Sequence, residues 1–373
     1  MEEKKHLREL IQLFLKLGII GFGGPAAHIA MMREEVVVKR KWMGEQDFLD
    51  LMGVTHLIPG PNSTEMAIHI GQERAGWKGL IVAGACFIFP AVLLTAALAW
   101  LYKKYGQLPE IQPYVYGIKP AIIAIILMAI FPLAKKSLKT VELGLIGLVT
   151  LVLSLLQYNQ ITIMFGAGIF VLLKTTLQNK HTMSLVPISL ITFSKSTVLA
   201  VSNWNLFLIF LKIGAILYGS GYVLFAFLDE ELVANGLLSR LTLMDAIAVG
   251  QFTPGPVFSS VTFIGYQING WSGAAVSTVA IFLPSFLFVA LLNPLVKKMR
   301  NSTLFSGFLD AVNVASISII VAVCFQMGKD VMTDWRTILI ALISLLLSFY
   351  YNKMNSAFIV VGGSLLGYVL TLL

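Results

Sequence analysis

Hydrophobic residues run along this chain in long blocks rather than in alternating or narrow amphipathic stripes, and such blocks predict membrane-spanning helices. Stretches nearly free of charge occupy 79 to 102, 120 to 134, 141 to 173, 273 to 296, 304 to 328 and 337 to 373. Against the roughly 20 apolar residues a bilayer requires, 120 to 134 is short, while 141 to 173 and 337 to 373 each have room for two spans. All are too long and too uniformly apolar for barrel strands, so the expected fold is all-α, a polytopic integral membrane protein.

Within the blocks, one pattern occurs twice, about 195 residues apart. Phe14-Leu15-Lys16-Leu17-Gly18 returns as Phe210-Leu211-Lys212-Ile213-Gly214, and Pro59-Gly60-Pro61 as Pro254-Gly255-Pro256. Gly76-Trp77-Lys78-Gly79 returns as Gly270-Trp271-Ser272-Gly273, and Pro90 as Pro284. Duplicated membrane units with helix breakers at matching places are a common build for secondary transporters. The expected organisation is an N-terminal repeat at 1–174, a more polar linker at 175–202 and a C-terminal repeat at 203–373. Each repeat reads as a first segment ending in an acidic loop (Arg33-Glu34-Glu35-Val36; Asp229-Glu230-Glu231-Leu232), a segment broken at Pro-Gly-Pro, and four ordinary spans.

Loop charge suggests how the repeats insert. The loop after the first segment holds Arg33, Lys39, Arg40 and Lys41 in copy one but only Arg240 in copy two, which predicts opposite insertion and an inverted-topology pair. If each Pro-Gly-Pro segment is a re-entrant hairpin, each copy crosses an odd number of times and inversion follows. That arrangement puts Arg33 to Lys41, Arg74, Lys78, Lys135, Lys136, Lys139, Lys174, Lys180, Lys297, Lys298, Arg300 and Lys353 in the cytoplasm. It strands Lys4, Lys5 and Arg8 outside, a conflict removed by a fold-back at Gly21-Phe22-Gly23-Gly24-Pro25 or by a helix near 184 to 201.

Composition agrees with a bilayer protein: hydrophobic residues are 57% and charged residues 12%, too little polar material to cover a water-soluble surface. The formal charge of +8 does not imply nucleic acid, because the basic residues sit in short inter-helix loops. Cys86 and Cys324 lie in predicted helices without CxxC partners and are expected to pack rather than to form a disulfide or bind metal. The first apolar segment carries Lys16 and no small-residue cleavage site, so an uncleaved anchor is expected. Phosphate-loop, HExxH and GxSxG signatures are missing, so the chain is expected to be no enzyme and to use no cofactor or metal.

Lys16 and Lys212 stand out because a lysine inside an apolar helix costs about 2.5 to 3.5 kcal/mol on insertion scales. Snorkelling or a structural ion pair would relieve that cost; so would a bound anion. Lys212 lies on the order of 12 Å below Trp204 at 1.5 Å per residue, deep for snorkelling. Each Pro-Gly-Pro splits its segment, and the half-helix that follows begins with unpaired N–H groups suited to an anion. Asn62, Ser63, Thr64, Ser259, Ser260 and Thr262 add side-chain donors there; a simple proline kink is the alternative. Gly23 and Gly24 belong to Gly21-Phe22-Gly23-Gly24-Pro25, loosely echoed by Gly219-Ser220-Gly221, and expose backbone for ligand contact or for close helix packing. Glu65 sits in the first turn after the break as a proton-coupling candidate, or as a helix cap or a counter-charge to Lys16. His28, His56 and His69 are further titratable candidates, and none has metal-site spacing.

Gly21-Phe22-Gly23-Gly24-Pro25-Ala26-Ala27-His28-Ile29-Ala30, the basic loop to Trp42, and Leu57-Ile58-Pro59-Gly60-Pro61-Asn62-Ser63-Thr64 closely resemble the chromate ion transporter family in its long, two-domain form. The similarity continues through Gly71, Gly76 and Phe87-Ile88-Phe89-Pro90, and through Lys212, Asp229 to Leu232, Pro254 to Pro256 and Pro284. The resemblance implies a multi-pass protein of the prokaryotic cell (inner) membrane that exports chromate by proton coupling or oxyanion antiport and confers chromate resistance. Copy two departs from the pattern at Ser220-Gly221 and lacks Asn62-Ser63-Thr64-Glu65, so copy one is the stronger candidate for substrate contact. Expected partners are chromate or a sulfate-like oxyanion and membrane lipids, with a homodimer left open and nucleic acid excluded. Rival readings are a carrier for sulfate or another anion, an uncoupled anion channel, and a lipid-modifying enzyme, the last without a recurring nucleophile–base pair.

Overall fold

Helix boundaries fall where the sequence supplies breakers and caps. The computed structural model describes residues 2–178, 202–219, 221–299, 302–351 and 354–372, with backbone alone for 292–299 and 303. Copy one begins with α1 (Glu2–Ile20) and α2 (Gly24–Arg33), which runs on into a π-helical turn, Glu34–Lys39. It continues with α3 (Glu45–Thr55), α4 (Asn62–Tyr105), α5 (Gln112–Ser137), α6 (Val141–Leu155) and α7 (Gln160–Gln178). Copy two repeats this order with α8 (Asn203–Ile216), α9 (Val223–Leu228), a π-helical turn Asp229–Val233 and α10 (Arg240–Phe252). After a 3₁₀ turn, Val257–Ser259, come α11 (Ser260–Met299), α12 (Thr303–Val331), α13 (Trp335–Tyr350) and α14 (Ser356–Thr371). Ser202, Ser239 and Asp334 cap α8, α10 and α13 by accepting from amides that lack an intrahelical partner. The expected linker from 179 onward to 201, with Lys180 and the helix considered near 184 to 201, lies outside the described residues, as do Ser220, Arg300 and Lys353.

Among the described residues, five helices are long and apolar enough to cross a membrane: Asn62–Tyr105, Gln112–Ser137, Gln160–Leu177, Val257–Leu291 and Leu304–Val331. The outer surface is correspondingly apolar, with Trp77, Phe131, Leu177, Trp271 and Phe349 exposed. The first apolar segment of each copy is not a single rod. It breaks after Ile20 and after Ile216, because the glycines that follow carry no side chain to hold the next turn.

α4 is also two arms. Ala75 (φ −147°, ψ 27°) and Gly76 (φ 59°, ψ −149°) leave helical space, and Asn269 and Gly270 do the same in α11. The dihedrals of Gly76 and Gly270 strain any residue with a Cβ, so glycine makes these turns cheaply. The arms then fold back on themselves: Gly71 packs on Gly79 and Ala83, and Gly84 on Ile68. A continuous helix would hold such pairs about 12 to 24 Å apart. Gly265 packs on Gly273 in the same manner, and a Cβ at Gly71, Gly79, Gly265 or Gly273 would strike the opposite arm's backbone.

The copies interlock. α4 packs along α11, α5 lies against α13 and α14, and α12 lies against α6 and α7, so each copy's last two helices cover the other copy's middle helix. Near the Gly76 turn, Arg74 pairs with Glu9 and Lys78 with Glu3, both at 2.8 Å. At the far end of the same α4 arm, Gln267 donates to the Ala99 carbonyl at 3.0 Å, and Lys103 donates to the Gln267 carbonyl at 3.4 Å. The Gly76 and Gly270 turns therefore sit at opposite ends of one arm, about 35 to 40 Å apart at 1.5 Å per residue.

One ion pair, exposed in copy one and largely buried in copy two, is conserved in position but reversed in sign. Arg33 grips Glu45 through two hydrogen bonds of 2.7 and 2.8 Å. At the matching positions Arg240 grips Asp229 at 2.7 and 3.2 Å. Hydrogen bonds from Arg33 hold the Glu45 carboxyl below its usual range, although a solvent-exposed pair of this kind adds little stability.

Gly71→Leu tests the fold-back. The added side chain runs into the second arm's backbone at Gly79 and the Ala83 methyl, and the melting temperature in detergent should fall by roughly 5 °C or more, whereas Gly362→Ala, which meets open space, should leave it nearly unchanged.

Candidate functional site

Each Pro-Gly-Pro loop reaches across to the other copy. The Gly60 amide donates to the Leu217 carbonyl at 2.8 Å, and the Gly255 amide donates to the Gly21 carbonyl at 2.7 Å. Gly21 and Leu217 are matching positions, each just past the end of its copy's first helix, so the two bonds are one contact made twice. The flanking prolines fix φ and remove donors, while Gly60 (φ 137°) and Gly255 (φ 89°) take backbone conformations that L side chains rarely adopt. Space is as restrictive as conformation: Gly60 abuts Ser285 and Glu65, and Gly255 abuts Ala91. Ser285 and Ala91 are again matching positions, one residue after Pro284 and Pro90.

Around this seam lies a buried polar set. Glu65 is fully buried, accepts from the Ser285 hydroxyl at 3.3 Å through Oε1, and among the described residues has no partner for Oε2. Thr64, His69, Ser260 and Ser277 are likewise buried with side-chain polar atoms unpartnered. Ser63 meets His28 Nδ1 at 3.3 Å, and His28 Nε2 donates to the Gly21 carbonyl at 2.9 Å, the same oxygen that receives Gly255. Asn62 pairs with His56 at 2.9 Å, Ser259 accepts from Thr95 at 3.4 Å, and Thr262 bonds Thr278 at 2.7 Å. The half-helix amides are partly spent, since Thr64 and Glu65 both donate to the Pro61 carbonyl and Ser259 to that of Pro256. Gly23 (φ 102°) and Gly24 (φ 78°) form the turn between α1 and α2, with Gly23 solvent-exposed.

The two lysines belong to ion pairs. Lys16 bonds Glu35 at 2.8 Å, and Lys212 bonds Glu231, each partner lying 19 residues further on in its own copy. Glu35 also attracts Lys39 at 3.6 Å and Arg40 at 3.4 Å, and these cations hold its carboxyl below the usual range, the Lys16 hydrogen bond most of all. Of the three explanations open from sequence, the structural pair is the one present in this conformation. The acidic dipeptides were visible as repeated residues; their pairing with the lysines was not, although an identical spacing in both copies was available as a signal. Ser285 was missed because nothing local marks it. Among the described residues, no group of three or more His, Cys, Asp or Glu is placed to hold a metal.

Long apolar helices in two matched halves, meeting at a buried polar seam, define a multispanning α-helical membrane protein of the transporter class. The chain belongs to the chromate transporter family, whose model matches residues 8–172 and again 204–368. It is 32% identical to the chromate transport protein of Cupriavidus metallidurans, over 97% of this chain and 93% of that one. It is 30% identical to the probable chromate transport protein of Synechococcus elongatus, over 93% and 91% of the two chains. An uncharacterised transporter of Bacillus subtilis, 27% identical, is matched over 92% of its own length by only 47% of this chain, the length of one copy. No solved structure matches the chain.

Lys212→Ala should destabilise the protein by about 1 to 3 kcal/mol, less than a fully buried pair because the lysine is partly exposed. Adding Glu231→Gln should recover most of the loss, and thermal unfolding of the two single variants and the double variant measures the coupling.

Proposed function

We propose that the chain is a secondary transporter that exports chromate across the cell membrane, with sulfate-like tetrahedral oxyanions as competing substrates and with proton coupling or anion exchange as the driving force. The observation that carries this reading is the seam: two Pro-Gly-Pro loops, matched in position, meet the opposite copy, and in the turns just after them Thr64, Glu65 and Ser260 keep buried polar atoms without a partner among the described residues. An unpartnered buried polar atom costs on the order of 1 to 3 kcal/mol, so a cluster of them favours a polar guest. The names of the relatives supply the anion.

In this reading the repeats are inverted in the membrane, as supported by the glycine turns at opposite ends of one α4 arm. α1 with α2, and α3 with the first arm of α4, are re-entrant hairpins whose tips lie at the seam; the same holds for copy two. The first arm of α4, Asn62 to Arg74, is about 20 Å long, too short to span alone. Alternating access comes from one copy rocking on the other about the two reciprocal backbone bonds. Pro59, Gly60, Pro61, Asn62, Ser63, Thr64 and their counterparts Pro254, Gly255, Pro256, Ser259 and Ser260 hold the anion, with Gly23 and Gly24 as flanking backbone. Lys16 and Lys212 join them in states where the glutamate pairs open. Glu65 carries the coupled proton, with His28 and His69 as relay partners on the same hairpin region.

Everted vesicles under an imposed pH gradient test the reading. Chromate uptake should be saturable, inhibited by sulfate and molybdate, and driven uphill by the proton or counter-anion gradient; strictly downhill flux would establish a channel instead. Glu65→Gln should preserve anion exchange while losing accumulation driven by the pH gradient by roughly tenfold or more. Lys16→Ala, in protein that remains monodisperse, should abolish oxyanion uptake, and undiminished uptake removes Lys16 from the site.

A further inference from the structure

A cavity of about 280 Å³ opens beside the copy-one Pro-Gly-Pro loop and is built by both copies. Copy one supplies His56, Leu57, Ile58, Asn62 and Lys136; copy two supplies Gly219, Phe305, Ser306, Leu309, Asp310 and Asn313. Its volume is several times the roughly 30 Å³ share of one water molecule, room for a small oxyanion that keeps part of its hydration.

The charges lining it are unequal. Asp310 is neutralised by Lys139 at 2.7 Å, a lysine of the neighbouring loop. Lys136, by contrast, forms no ion pair among the described residues and lines the cavity as a cation. The lining also holds the amide of Asn313, the hydroxyl of Ser306 and the Asn62–His56 pair, all able to donate to oxygen. One cation and several neutral donors thus share the space, and Ile58 and Asn62 of the lining flank the Pro-Gly-Pro loop that reaches the seam.

The matching position in copy two has the opposite sign. Phe131 to Ser137 aligns with Phe325 to Val331, which sets Asp330 opposite Lys136 in the repeat; Gln251 and Val257 stand where His56 and Asn62 do. Asp330 is bound by Arg240 at 2.8 Å. The duplication therefore offers an anion a free lysine on one face of the protein and a paired carboxylate at the equivalent point of the other.

We propose that this cavity is the loading site for the transported oxyanion, where a tetrahedral dianion binds through Lys136, Asn313 and Ser306 before it passes the Asn62–His56 pair to the seam. The proposal rests on the oxyanion-transport reading and adds to it a place and a face. Loading on the face that carries Lys136, Lys139 and Lys174 lowers the oxyanion concentration needed to load from that side, while the driving gradient sets the net direction.

The test uses the full chain in proteoliposomes with molybdate, a non-oxidising tetrahedral dianion, presented to the Lys136 face. Lys136→Ala should raise the KM for molybdate by roughly tenfold with kcat little changed, because a charge-assisted contact made on loading is lost. Lys136→Arg should restore it, and Lys135→Ala, one residue outside the lining, should behave as wild type. Asn313→Asp, which adds a negative charge to the far wall, should raise KM in the same way and serves if Lys136→Ala does not fold. A wild-type protein that moves no oxyanion defeats the transport reading itself. A transporting wild type whose Lys136→Ala and Asn313→Asp variants keep the original KM, or lose kcat alone, overturns the loading site.

Discussion

Two backbone hydrogen bonds, Gly60 to Leu217 and Gly255 to Gly21, organise the interior of this protein. Each spends a loop amide that would otherwise be orphaned in an apolar setting, where an unsatisfied donor is costly. To make the bond, the first helix of the opposite copy must stop where it does, freeing a carbonyl; the loop must carry glycine, since Ser285 or Ala91 leaves no room for more. The broken first segments, the Pro-Gly-Pro triplets and the prolines at 90 and 284 are thus parts of one arrangement. Pro90 removes the amide that would have engaged the helix carbonyls below it, and Gly18 settles against the Phe87 carbonyl and the proline ring. Gly214 lies on the Ile281 carbonyl in the same way.

What was legible in the sequence was what is local. Apolar blocks, proline triplets and the repeat itself are written in consecutive residues, and they led to an all-helical, two-copy membrane protein. The first arm of α4 was harder to see, because Asn62, Ser63, Glu65, His69 and Arg74 break its hydropathy even though it packs as a helix. The fold-back at Gly76 was present as a repeated motif without revealing that it reverses the chain. Cross-copy bonds carried by backbone atoms leave no trace in side-chain identity, so Gly21 and Leu217 could not be read as partners. The lysine pairs fall between these cases: both members were noticed, but a lysine and a glutamate 19 residues apart pair only once the break between them folds the chain back.

The polar seam is unequal between the copies. Copy one contributes Glu65 with a carboxyl oxygen that no protein group satisfies, and copy two contributes Ser260 at the matching position with an unpartnered hydroxyl. A carboxyl and a hydroxyl related by pseudo-symmetry give one titratable element at a place where two carboxylates would repel. Division of labour of this kind is open to a fused duplication and closed to two identical subunits.

The reversed pair, Arg33 with Glu45 against Asp229 with Arg240, bears on how such a chain assembles. Two hairpins of the same design emerge one after the other, and each has two equivalent third helices on which to dock. Docking on the wrong one would set Arg33 beside Arg240 and Asp229 beside Glu45, like charges at both contacts. The inversion of sign therefore works as an address label: the correct dockings each join opposite charges and the two exchanged dockings each oppose like ones.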